Sequence, residues 1–229
     1  MTLRFSGPLV MRLLAVNFLA LLLFGTASEV ALHGFGITWF FGLVPMSNLS
    51  YEGNLPTWYA SMLLLTCAGL LGLIGWTRFR AARPYRWHWL ILALVFLYIS
   101  MDELAVIHET LNRPLREALD LGGLFHFAWV IPFGLLVLVF ALSYIGFLRH
   151  LPPRFALWFV AAGAVYVGGA LGTELPISLW YETHGGDNLT YGLMNLAQEG
   201  LELLGASIFC AGLAAYIMDQ IGDLRLSFT

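Results

Sequence analysis

The sequence predicts an all-α fold, a polytopic bundle of about six transmembrane helices, on three observations. Hydrophobic residues make up 59% of the chain and charged residues 11%, where a soluble domain carries about a quarter charged residues. Mean hydropathy is +0.79. Six apolar stretches, at 9–33, 56–78, 87–111, 126–148, 154–178 and 189–218, reach the roughly 20 residues that a helix needs to cross the hydrocarbon. No second apolar pattern divides the chain, so 1–229 reads as a single transmembrane domain.

Span one has Arg4, Arg12, an apolar run and Thr-Ala-Ser at 26–28, as a signal peptide would. The apolar run continues past Ser28, so an uncleaved first span is expected. The loop 34–55 is the longest, and Asn54 and Pro56 mark the start of span two, with proline tolerated in a first helical turn. Span three carries acids near its end, and span four opens at His126. Span five contains Gly168, Gly169 and Gly172, which allow close helix approach, and Pro176, which is expected to kink or end it beside Glu174. Cys67 and Cys210 lie in apolar runs and read as small packing residues.

All eleven basic residues are arginine. Arg4 and Arg12, then Arg78, Arg80, Arg83 and Arg86, then Arg149 and Arg154 fall on one side of the membrane. Positive charge marks the inner side, so both termini are expected in the cytoplasm. Arg113 and Arg116 are the exceptions. A net charge of −3 gives no reason to expect nucleic acid; membrane lipids are the expected surroundings.

Twelve of the fourteen acidic residues then fall in the outer half. At about 1.5 Å per residue, Asp102 on span three and Glu202 on span six come to similar depths, with Glu174 and Glu29 near the outer boundary. Ionisable groups at such depths are costly and point to function. If span three is helical through residue 111, Asp102 and Glu109 share a face, flanked by Glu103 and His108. Asn195, Gln198, Glu199 and Glu202 share an arc on span six, and Glu29 and His33 a face of span one. Spans one, three, five and six are therefore expected to meet in one outer pocket. Glu52 reads as a solvated loop residue.

Carboxylates and imidazoles from several helices, without cysteine, suit a divalent metal such as zinc, manganese or iron. A cation would also offset several buried negative charges. The expected ligands are Asp102, His108, Glu109, His126, Glu199 and Glu202, with Glu103 and Glu174 as candidate catalytic acids. Ser100, Asp102 and His108 are reminiscent of ceramidase-type membrane hydrolases, but the His-x-x-x-His pair of that pattern is missing. The Glu-x-x-His pairs of a di-iron bundle are missing too.

Glu52-Gly-Asn54-Leu-Pro56-Thr57-Trp58-Tyr59, Asp102-Glu103, His108-Glu109 and Glu199-Gly-Leu-Glu202-Leu-Leu-Gly205 together resemble a recurrent group of bacterial multi-pass membrane proteins of unknown function. The resemblance runs from about residue 40 onward. It implies the same architecture in a bacterial cytoplasmic membrane, with the acidic end facing the periplasm, and it implies no reaction. Three functions compete. The first is a metal-dependent hydrolase or oxidoreductase acting on a lipid or other amphiphile. The second is a proton- or cation-coupled carrier, with the acids as protonation sites. The third is a non-catalytic subunit associated with other membrane subunits.

Overall fold

A computed structural model describes residues 7–222, together with the backbone of residues 2–3 and 224–225. Arg4 and Asp223 lie outside the described residues. Six helices are long and apolar enough to cross a membrane. Leu13, Val16, Leu19, Leu23, Leu135, Leu136, Leu142 and Leu157 are all more than half exposed. A girdle of this kind is the surface lipid would cover, since soluble monomers rarely expose contiguous apolar patches of more than a few hundred Å².

Helix α1 (Gly7–Glu29) runs on through a π-helical turn, Val30–Gly34. A short helix, α2 (Leu43–Ser47), follows, and Ser28 donates to the Val44 carbonyl at 2.8 Å. Asn54 caps α3 (Leu55–Arg80) by accepting from the Thr57 N–H at 3.2 Å, with Pro56 in the first turn. Helix α4 (Arg86–Ala105) packs along α3 through reciprocal bonds. Ser61 donates to the Ser100 carbonyl at 2.7 Å, and Ser100 to the Ser61 carbonyl at 2.8 Å. Ser100 therefore clasps α4 to α3.

Span three ends earlier than the hydropathy run. Val106 takes a left-handed conformation with φ 51° and donates its N–H to the Asp102 carbonyl at 2.7 Å. A β-branched residue there is strained by about 1–3 kcal/mol. Residues 106–111 therefore leave the α4 axis, and Glu109 does not share a helical face with Asp102. A 3₁₀ turn (His108–Leu111) and α5 (Asn112–Leu119) form the loop that follows α4.

Helix α6 (Val130–His150) begins four residues after His126. Helices α7 (Pro153–Val167) and α8 (Glu174–His184) are joined by a π-helical stretch, Gly168–Thr173. Of the kink or end expected at Pro176, the end does not occur, and the helix continues to His184. Proline costs the i−4 hydrogen bond, and the wider π turn just before it absorbs that loss. Helix α9 (Leu189–Gln220) is capped by Asn188, which accepts from the Tyr191 N–H at 2.9 Å.

Cys67, Leu71, Ile74, Trp89, Phe147 and Leu213 fill the middle and the arginine-bearing end, almost fully buried. Cys67 and Cys210 are free thiols that face one another within this core. In lipid the helices associate through close packing rather than exclusion of water. Gly169 is one such close contact: a Cβ there would stand 2.9 Å from the Leu201 Cβ and 3.1 Å from the Glu202 Cγ. That contact seats the π turn on α9 beside Glu202.

Candidate functional site

The site begins where α4 stops. The turn at Val106 folds the chain back, so Asp102 Oδ1 accepts the His108 backbone N–H at 2.9 Å and Oδ2 lies 2.7 Å from the His108 Nδ1. A carboxylate accepts, so Nδ1 carries the hydrogen and Nε2 keeps a free lone pair. Asp102 is buried and both its oxygens are spent on His108. It orients the ring. The His108 ring meets the edge of Trp129 at 4.5 Å between centroids.

Trp129 links His108 to the next acid. Its Nε1 donates to Glu174 Oε1 at 3.2 Å, while Gln198 Nε2 donates to Glu174 Oε2 at 2.6 Å. Glu174, at the start of α8, is thus pinned between α6 and α9. Its charge reaches His108 and Glu109.

Glu103 occupies the middle. It feels the charges of Asp102, His108 and Glu52 on one side and acts on Glu199 and Glu202 on the other. Glu103 and Glu199 make no protein hydrogen bond among the described residues, and Glu202 faces the Tyr166 hydroxyl of α7. No arginine is paired with these three carboxylates among the described residues. Among those residues, no three acid, histidine or cysteine side chains are already drawn into one ion's reach.

Spans three, five and six therefore converge, and span one does not join them. Glu29 is buried, accepts from Ser50 Oγ at 2.6 Å and lies 3.4 Å from His33 Nε2. A Cβ on Gly192 would collide with its carboxylate, so α9 approaches α1 through that glycine. His126 also stands apart. Arg116 reaches its Nε2 at 2.6 Å, and Glu182 Oε2 lies 3.5 Å from its Nδ1. Burial and then the Arg116 charge lower its pKa, against the pull of Glu182. With both ring nitrogens engaged, His126 is not a ligand in this arrangement. Glu109 is exposed at the mouth.

Glu52 is an exposed loop residue, as expected from the sequence, and lies within electrostatic reach of the cluster. It reaches solvent, yet desolvation and then the negative charges of Glu109 and Asp102 raise its carboxyl above the ordinary range, with His108 pulling back. Its place two residues before the Asn54 cap was the available signal of that reach, because that cap fixes where the loop meets α3. Trp129 and Tyr166 gave no sequence signal beyond ordinary aromatic packing.

Burial opposes protonation of His108, but the Asp102 hydrogen bond and the charges of Asp102, Glu109 and Glu174 outweigh it and raise the imidazole above its ordinary 6.5. The stability this pair contributes is complete below about 6.5 and is lost as pH rises through the raised folded value. Histidine-labelled NMR is expected to show the His108 midpoint above 6.5, moving down in Asp102→Asn. An unmoved midpoint would remove Asp102 as the partner.

No curated protein and no solved structure matches the chain. A family match extends over residues 9–217, taking in span one as well as the stretch from about residue 40. The chain belongs to the family described as "Domain of unknown function (DUF8692)".

Proposed function

We propose that the chain is a metal-dependent enzyme of the bacterial cytoplasmic membrane, hydrolysing a lipid or other amphiphile at the periplasmic side. The observation that carries this reading is the Asp102–His108 pair at the rim of three carboxylates with no arginine partner. Glu103, Glu199 and Glu202 would hold a divalent cation such as zinc, manganese or iron. Carboxylate oxygen favours the harder of these ions. A bound cation would polarise a substrate oxygen and acidify a water.

The remaining roles belong to the chain. His108 Nε2 accepts a proton, and Asp102 holds the ring in the tautomer that permits it. Glu174, fixed by Trp129 and Gln198, keeps a negative charge facing His108 and favours its protonated form. The arginines at the opposite end support the orientation, by the positive-inside rule. A carrier is the second reading, and the core around Leu71, Ile74, Trp89 and Leu213 counts against it, since it leaves no polar path towards the arginines.

Metal analysis of detergent-purified protein tests the proposal. Wild type is expected to hold stoichiometric divalent metal and Glu199→Gln to lose it. Metal-free wild type purified without chelator, with the variant equally folded, would overturn it.

A further inference from the structure

The opposite end of the bundle carries a cavity of about 320 Å³. Arg78, Tyr85, Trp89, Phe147, His150 and Tyr216 line it, and no carboxylate does. Arg78 donates to the Tyr216 hydroxyl at 2.6 Å, and Tyr216 is 1% exposed. Arg154 pairs with Asp219 and Arg113 with Glu117, whereas Arg78 is the arginine that lines this cavity. Arg78 has no carboxylate partner among the described residues, and a guanidinium has five N–H donors to place. Trp76 and Trp87, both more than half exposed, flank the same end, where indole rings mark headgroup depth.

We propose that this cavity binds the phosphate group of an anionic phospholipid headgroup. Arg78 supplies a planar fork suited to two phosphate oxygens. The Tyr216 hydroxyl holds that fork in place, and His150 is a further donor. The aromatic walls of Trp89 and Phe147 accept the glycerol and the first methylenes. Basic pockets between helices at the inner face of a membrane take such headgroups. This site is separate from the acid cluster and stands whether or not that cluster binds metal.

The test is lipid binding to the full-length protein in neutral detergent, followed by native mass spectrometry. The probes are phosphatidylglycerol, phosphatidylcholine and inorganic phosphate. Phosphatidylglycerol is expected to bind the wild type and to weaken about five- to tenfold in Arg78→Gln. Tyr216→Phe, which keeps the charge, is expected to weaken it less. Inorganic phosphate displacing the lipid at low concentration would retain the phosphate site and make the free ion its occupant. If Arg78→Gln fails to fold, Arg78→Lys decides, because it keeps the charge and loses the fork. Equal phosphatidylglycerol binding by the wild type and every folded variant would overturn the proposal.

Discussion

Gly205→Ala is expected to lower the melting temperature of the detergent-purified protein sharply and to disorder the acid cluster. A Cβ at residue 205 would stand 2.6 Å from the Tyr166 backbone nitrogen and 2.8 Å from its Cα. Those are main-chain atoms of α7, so no rotamer change relieves the clash. The two helices must separate, at a cost of about 3 kcal/mol or more, out of a total stability of about 5–15 kcal/mol. Tyr166 also faces Glu202, so the same displacement reaches the site. Gly163→Ala, on the same helix α7, is the control, because nothing lies within 4 Å of its Cβ. That variant is expected to match or slightly exceed wild type, alanine being the better helix former by about 1 kcal/mol. Equal melting of the two variants would contradict the packing described for α7 and α9.

Glu199→Gln is expected to change stability in opposite directions with and without metal. Without an ion, Glu199 stands in the field of Glu202, Glu103, Glu52 and Glu174. Glutamine neither bears repulsion from those four acids nor has to take up a proton on folding, so the metal-free variant is expected to melt above metal-free wild type. With an ion, the same change removes a ligand. Loss of a mere supporting group costs about 10–100-fold in metal affinity, and loss of a ligand is expected to cost at least the upper end. The added stability that metal confers follows the free concentration over its dissociation constant. Zinc or manganese should therefore raise the wild-type melting temperature and leave the variant unmoved. A purely structural clasp of protonated acids predicts the reverse in the metal-free state, since removing a hydrogen-bonding acid would destabilise it.

The bundle was legible because crossing helices leave long apolar runs, and the end carrying the acids was legible because depth follows from a constant rise per residue. Depth arithmetic pointed to Asp102, Glu174 and Glu202, and shared helical faces added Glu103 and Glu199. What failed depended on side chains choosing local partners. Hydropathy carries span three through Leu111, but the left-handed Val106 ends the helix and the Asp102 side chain accepts the His108 N–H beyond it. That turn converts Asp102 from an expected ligand into the partner of His108. His126 was lost to Arg116 and Glu182, which no spacing in the sequence connects to it. Glu29 is taken up by Ser50 and His33 and packed against Gly192 instead. Pro176 did not end its helix because the glycine-rich turn before it supplies the slack.

Anomalous X-ray scattering from crystals grown with manganese is the most direct measurement of the central claim, a cation held by Glu103, Glu199 and Glu202 within reach of the Asp102–His108 pair. One peak is predicted among those three carboxylates, with His108 Nε2 turned towards it and Asp102 still on Nδ1. A structure in which the three acids hydrogen-bond to one another with no ion between them, or a peak only at Glu29 and His33, would contradict the account.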